Sequence, residues 1–259
     1  MKRSLIKIVI IVFFFLFFVY NFVLADSIKY LGHSCFLIEV DSKKILIDPY
    51  SYDMGYPLLS KINLKEVNLI LSTHEHFDHF NKDVFKISQK LSIPYFVGTK
   101  DDGQNWNPIN YKFDKIYVNS INTYHDSSLG NDRGKNSVIV IKTNKFKIAH
   151  LGDLGHILDK KQAESLKSVD FLFVPVGGFF TISSAEAVKI IKTLSPKVVI
   201  PMHYKTKYTR DFPISDINEF IKLSEKELKD YVLVKKEYSD MIIKVDNIKN
   251  KSIFCFIMN

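Results

Sequence analysis

Residues 67–79 read Val67-Asn68-Leu69-Ile70-Leu71-Ser72-Thr73-His74-Glu75-His76-Phe77-Asp78-His79. The opening residues form a nearly continuous apolar run, the pattern of a strand covered on both faces. Three histidines and an aspartate then crowd into the last six positions. In an extended segment, side chains two residues apart point the same way, so His74 and His76 can offer imidazoles to one ion. Asp78 and His79 follow where the chain turns toward a helix, and they face a second position close by. A ligand set this dense at a strand end predicts metal binding rather than a solvated polar loop.

One loop cannot close a coordination sphere, so further ligands are expected from other strand ends. His125 ends the strand-like stretch Thr123-Tyr124-His125, Asp153 ends His150-Leu151-Gly152-Asp153, and His203 follows Val198-Val199-Ile200-Pro201-Met202. Together they make a mixed His/Asp set of the kind that holds zinc, manganese or iron.

Around these positions, short strand candidates cover residues 28–31, 35–40 and 44–47, separated by the turn signals Gly32 and Asp41-Ser42. They predict an antiparallel meander. A helix is expected over 81–91, ended by Pro94, with a strand at 95–97 beyond it. The polar stretch 100–112, which holds the only tryptophan, Trp106, reads as a surface loop or lid. Strands are expected at 116–118, 137–141 and 147–149. Helices at 159–166, 184–194 and 215–228 then alternate with strands at 171–176 and 198–201. Ser183 or Ser184 can cap the second of these helices, with Glu186 in its first turn. Strands with interspersed helices and no linker point to one layered α/β domain.

The chain has 259 residues, 46% hydrophobic and 25% charged, which excludes disorder and low-complexity architecture. Part of the hydrophobicity lies at the start. Lys2, Arg3 and Lys7 precede an apolar run over 8–20, and Val23-Leu24-Ala25 offers small residues for cleavage. Residues 1–25 therefore read as a signal peptide, with an uncleaved anchor as the alternative. Export to the periplasm or outside is expected, with transient membrane contact through the N-terminus. The formal charge of +8 comes largely from scattered lysines, as at Lys112, Lys115, Lys142, Lys145 and Lys147. That describes a solvated face, and no nucleic-acid partner is expected. Two cysteines, Cys35 and Cys255, make no disulfide framework, although pairing between them stays open.

The set His74-x-His76-x-Asp78-His79, followed by His125, Asp153 and His203, resembles the motif series of the metallo-β-lactamase superfamily. Gly32-His33-Ser34-Cys35-Phe36, Asp48-Pro49, the segment 150–156, Pro175-Val176-Gly177-Gly178 and 200–204 are similar to the branch of ascorbate-6-phosphate lactonase and N-acylphosphatidylethanolamine phospholipase D. The resemblance covers roughly residues 27–204. It implies an αββα sandwich, with residues 26–259 as one hydrolase domain and the metal site at one edge between two sheets. It also implies that His74, His76 and His125 hold one divalent ion, and that Asp78, His79 and His203 hold another. Asp153 would bridge the two. Zinc is the first expectation, with manganese or iron as alternatives and one or two ions per chain. In one departure from many thiolesterase and lactamase members, Phe80-Asn81-Lys82 replaces a Gly-rich continuation after His79.

A divalent ion brings the pKa of its water toward neutrality, so a metal-bound hydroxide can attack a carbonyl or phosphorus without a Ser or Cys nucleophile. No Gly-x-Ser-x-Gly elbow occurs. The expected function is an exported hydrolase of a small ester, lactone or phosphodiester, lipid-derived substrates included. Asp78 is the expected catalytic residue, orienting the nucleophile or passing on a proton. His33 and His156, in Gly-flanked settings, are expected either to touch substrate, with Gly178 and Tyr204, or to donate to the metal ligands from behind, with hydrogen-bonded structural roles as the alternative. His150 is expected to point into strand packing. A metal-stabilised binding module and an oxidoreductase on the same fold are the competing readings. The latter usually carries Glu at the position of His76.

Overall fold

The computed structural model describes residues 25–258. The signal peptide or anchor expected over residues 1–25, and its membrane contact, lie outside the described residues except for Ala25. Among the described residues, no helix is long and apolar enough to cross a membrane.

The chain opens with β1 (Ser27–Gly32), β2 (Cys35–Val40) and β3 (Lys43–Ile47), paired antiparallel as the turn signals predict. β4 (Leu69–Ser72) adds parallel to β3, and β5 (Tyr95–Val97) adds parallel to β4 across the helix α1 (Lys82–Leu91). A two-stranded ribbon, β6 (Thr99–Lys100) and β7 (Asn105–Trp106), leads into the second sheet. There β8 (Asn110–Phe113), β9 (Ile116–Tyr124), β10 (Lys135–Lys142) and β11 (Lys147–His150) pair antiparallel in turn. After the short helix α2 (Lys160–Ser165) come β12 (Phe171–Pro175), α3 (Ser184–Leu194), β13 (Val198–Met202) and α4 (Ile217–Glu227). The chain closes with β14 (Val232–Glu237), β15 (Ile242–Lys244) and β16 (Ser252–Ile257). The first sheet has the order β15-β1-β2-β3-β4-β5, and the second runs β14-β16-β13-β12-β11-β10-β9-β8.

The period of two along each strand divides the second sheet between two cores. Ile139, Ile141, Phe171, Phe173, Val198, Ile200, Phe254 and Phe256 face the first sheet in one apolar cluster. Their neighbours Val138, Val140, Leu172, Val174, Val199, Ile253 and Cys255 face the other way, against Val188 and Ile191 of α3 and Phe220 of α4. Val84 of α1 joins the inter-sheet cluster with Met54 and Leu59 of the preceding 3-10 turns. The result is the layered α/β sandwich expected. Cys35 and Cys255 lie in different clusters, and both are free and buried.

Two expectations are corrected. The stretch 100–112 is not a lid, because it is tied down along its length. The Glu75 carboxylate accepts from Gly103 N at 3.0 Å, the Lys135 amide donates to Gly103 O at 2.8 Å, and the Trp106 indole donates to the carbonyls of Thr123 and Asn136. The C-terminal strands were not expected at all. β16 nevertheless sits between β13 and β14 inside the second sheet, and β15 closes the edge of the first against β1.

Helix α1 starts where the sequence places it. The Asn81 side chain accepts from Asp83 N and Val84 N, and its amide donates to Tyr50 O at 2.7 Å. Asn81 thereby caps the helix and anchors the chain just past His79. Asn81→Ala removes these bonds, and the melting temperature should fall by roughly 2–8 °C for a cap of about 1–2 kcal/mol. A thermal melt followed by circular dichroism checks this, and an unshifted midpoint contradicts it.

Candidate metal centre

Five segments meet at one edge of the sandwich. His74, His76, Asp78 and His79 leave the end of β4. His125 follows β9, Asp153 follows β11 and His203 follows β13. The β1–β2 turn brings in His33, whose carbonyl accepts from His203 N at 3.2 Å. Loops past the carboxyl ends of parallel strands form a natural crevice, and β4, β12 and β13 supply such ends here. The β4 loop closes on itself, with the amides of His79 and Phe80 both donating to His76 O.

The ligand-type atoms fall into three overlapping groups, each with its atoms within 4.8 Å of one another. These are His74, His76 and His125, then His33, Asp78, His79 and His203, and between them His74, His79 and Asp153. Asp153 sits centrally. Its Oδ1 lies 2.9 Å from His79 Nε2, and its Oδ2 lies 3.0 Å from His125 Nε2 and 3.2 Å from His203 Nε2. The seven residues expected as ligands are thus brought together.

Residues behind them fix the ring orientations. Asp48 accepts from Thr73 N at 2.7 Å, from Thr73 Oγ1 at 2.9 Å and from His79 Nδ1 at 2.6 Å. Since the Thr73 hydroxyl spends its proton on Asp48, the 2.9 Å contact to His74 Nδ1 is a donation from the histidine. The network therefore turns the Nε2 lone pair of His74 toward the site, as metal-bound histidines require. Asn136 does comparable work for Asp153, its Oδ1 accepting from Asp153 N while its amide donates to Thr123 Oγ1 and Leu151 O. Gly177 presses against His203. A Cβ there would lie 2.2 Å from His203 O, so the close approach requires glycine.

Burial opposes charge throughout the site, yet the carboxylates win on balance. Burial alone would raise Asp78 and Asp153, but the surrounding histidines outweigh it and hold both far below the ordinary carboxylate range. Burial would lower His79 and His203. Asp153 and Asp78 outweigh it, holding His79 well above its ordinary value and His203 at about 9. Burial prevails at His74, at His76 and at His33, the last lowered to about 4 with His203 adding to the effect. So held, His79 and His203 would carry protons wherever no cation balances the two carboxylates. Among the described residues, His74 Nε2, His79 Nε2, His203 Nε2 and Asp153 Oδ1 are buried without a hydrogen bond. Of these, His79 Nε2 and His203 Nε2 still face Asp153 as ion pairs at 2.9 and 3.2 Å, whereas His74 Nε2 comes no nearer to it than 4.0 Å. A buried polar atom left unsatisfied costs about 1–3 kcal/mol, and one or two cations among these groups would engage them. The donor set, nitrogen with carboxylate, fits a divalent transition metal.

The residues proposed to touch substrate fare differently. His33 is fully buried, with Nε2 3.1 Å from Asp78 Oδ2, and stands inside the second ligand group rather than in the cleft. His156 is occupied by backbone, accepting from Tyr124 N at Nε2 and donating from Nδ1 to Ile157 O. Tyr204 is buried in the helix-side core and donates its hydroxyl to Phe256 O, because its neighbour His203 takes the face toward the site. Gly178 holds φ +65° in a turn whose carbonyl accepts from Phe180 N. His150 points into the packing as expected, bonding Ser34 O at 2.8 Å. Asp48 and Asn136 were not foreseen, whereas the contact of His33 with Asp78 fits its other expected role, a donor behind the ligands. Asp48-Pro49 after a strand was the one visible trace of the first.

The centre is open. A cleft of about 660 Å³ reaches His76, Asp78, His125 and Asp153, and Phe180 and Phe212 form part of its wall. A structural metal site is closed by protein ligands, whereas a catalytic one leaves room for water and substrate.

A family model described as a beta-lactamase superfamily domain matches residues 27–203. The chain is 35% identical over 222 residues to a UPF0173 metal-dependent hydrolase of Pyrococcus abyssi, covering 80% of this chain and 96% of that protein. It is 34% identical over 235 residues to a counterpart in Nanoarchaeum equitans, covering 83% and 100%. A crystal structure from Thermotoga maritima, described as a Zn-dependent hydrolase of the metallo-beta-lactamase superfamily, superposes with a TM-score of 0.62. It is 26% identical, with coverage of 90% of this chain and all of that one.

Two outcomes follow from the geometry. Asp48→Asn removes the charge behind His79 and should weaken zinc affinity about 10–100-fold, measured by competition with a chelating dye. An unchanged affinity would mean that Asp48 does not orient the ligands. Zinc binding at pH 7 should also expel about two protons, those of His79 and His203, so affinity should climb as pH rises toward 9. Calorimetry in two buffers of unequal ionisation enthalpy reads the number, and zero release contradicts the charge assignment.

Proposed function

The chain belongs to the metallo-β-lactamase superfamily and is a metal-dependent hydrolase, and from that premise we propose that it cleaves a small ester, lactone or phosphodiester. The observation that carries this reading is the opening of His76, Asp78, His125 and Asp153 into one cleft beside buried, partnerless ligand atoms. We propose zinc as the ion, one or two per chain. His74, His76 and His125 would hold one, and Asp78, His79 and His203 the other, with Asp153 between them. The nitrogen-rich donor set supports that choice, and so does the description of the Thermotoga maritima relative as Zn-dependent. When bound, such an ion supplies a water that deprotonates near neutrality and a Lewis acid for the reacting oxygen.

The chain's own groups divide the remaining work. Asp78 enters as a carboxylate at the cleft wall, where it can hold and orient a proton of the attacking group. Neutral His33 donates from Nε2 to Asp78 Oδ2 and fixes that rotamer from behind. Phe180 and Phe212 exclude water from one side of the cleft. We further propose that residues 1–25 direct export, on the order of basic residues, apolar run and small residues. An exported hydrolase would have lipid-derived esters within reach.

Asp78→Ala tests the catalytic role. Turnover of p-nitrophenyl ester and phosphodiester panels should drop about a hundredfold or more, with the fold and at least one metal retained through His74, His76 and His125. Metal content, melting temperature and turnover are measured side by side. Surviving turnover with a collapsed melting temperature would instead mean that the metal merely stabilises a binding module.

A further inference from the structure

The chain has only three arginines, Arg3, Arg133 and Arg210, among 36 basic residues. Among the described residues, Arg133 is the one Lys or Arg that lines the cleft. The loop that carries it is rigidly built. Asp126, next to the ligand His125, accepts from Ser128 N and Gly130 N through Oδ1, and from Asp132 N and Arg133 N through Oδ2, at 2.8–3.1 Å. Gly134 closes the turn by donating to Gly130 O, and its own carbonyl accepts from His125 N. Arg133 is thereby referenced to a metal ligand through a few hydrogen bonds.

Its guanidinium lies over two rings, 5.7 Å from the centroid of Phe179 and 5.4 Å from that of Phe180. Among the described residues it makes no ion pair, although Glu75, Asp132, Asp78 and Asp153 share the cleft with it. Asp132 turns to Ser128 Oγ and Glu75 to Gly103 N. Stacked on rings, a guanidinium keeps its N–H edge available for a planar anion. The rings continue as an arc, with centroids 4.8 Å apart for Phe179 and Phe180, 6.4 Å for Phe180 and Phe212, and 6.4 Å for Phe212 and Phe77. Phe179 is 62% exposed and Phe77 57%. Large rings left in solvent beside a reactive cleft mark a surface that something apolar covers.

We propose that Arg133 is the residue that selects the substrate, gripping an anionic group on it while the arc from Phe179 to Phe77 receives an adjoining apolar part. The substrate class is thus an ester or phosphodiester that is both apolar and negatively charged outside the bond that breaks. This rests on the hydrolase reading above and sharpens it. The competing role for Arg133, neutralising the acidic cleft, would serve all substrates alike.

The test uses the zinc-loaded full chain and two esters with the same leaving group, neutral p-nitrophenyl butyrate and the mono-p-nitrophenyl ester of glutaric acid, whose acyl chain ends in a carboxylate. Arg133→Met should lower the ratio of kcat/KM, anionic over neutral, at least tenfold, chiefly through KM. Arg133→Lys, which keeps the charge on a different geometry, should recover part of it. Phenylphosphonate binding by calorimetry gives a readout independent of turnover, and should weaken about tenfold in Arg133→Met. If neither ester is cleaved but phenylphosphonate binding falls as expected, the ester-hydrolase reading fails and the assignment of Arg133 stands. If the wild type does not bind phenylphosphonate, or the variants change neither the ratio nor the binding, the assignment is overturned.

Discussion

The carboxylate of Asp48 is the constraint on which the centre depends. It is buried at the end of β3 and takes three hydrogen bonds, two from Thr73 and one from His79. Through Thr73 it also sets His74. One side chain outside the ligand set thus decides where the β4 loop leaves the sheet and which nitrogen two histidines present. Without a cation the arrangement would cost stability, because His74 Nε2 would stay buried without a partner and protons would have to balance the aspartates. The sandwich supports that cost. Its inter-sheet core runs continuously from β1 to β16, so the loops carrying His125, Asp153 and His203 are held by strands they do not themselves stabilise.

Much of the centre was legible because chemistry-bearing residues sat at strand ends. Four ligand-type side chains within six residues after an apolar run suit neither core packing nor an ordinary solvated turn, and His125, Asp153 and His203 each terminate a strand-like stretch. What stayed hidden depends on contacts distant in sequence. A single Asp before Pro49 looks like any turn residue until β3 and β4 lie side by side and bring it under Thr73. His33 reads as a cleft residue or as a donor behind the ligands, and only the β1–β2 turn, which sinks it against Asp78, decides between them. Tyr204 could have been read better, since strand alternation turns it away whenever His203 faces the site.

The layered sandwich was likewise readable from the alternation of short strands with helices, while its last three strands were not. β14 reads Val-Leu-Val-Lys-Lys-Glu, half-exposed at a sheet edge and protected by lysines. β15 is three residues long. β16 is an apolar run whose place is settled by pairing with β13, some fifty residues back, and with β14, about twenty residues back. The ribbon at 99–106 shows the same limit. Its polar, turn-rich composition suggests a surface loop or lid, and its fixed position comes from Glu75 and Lys135 meeting it from elsewhere and from Trp106 reaching the carbonyls of Thr123 and Asn136.

The account stands or falls on whether these side chains bind metal as two adjoining groups around Asp153. Crystals of the protein grown with zinc, with anomalous diffraction recorded on either side of the zinc edge, test that directly. The account predicts one anomalous peak about 2.0–2.3 Å from nitrogens of His74, His76 and His125. A second, at full or partial occupancy, belongs among Asp78, His79 and His203, with Asp153 reaching both. Zinc bound at surface residues only, with His74 and His79 still hydrogen-bonded as in the metal-free protein, would contradict it.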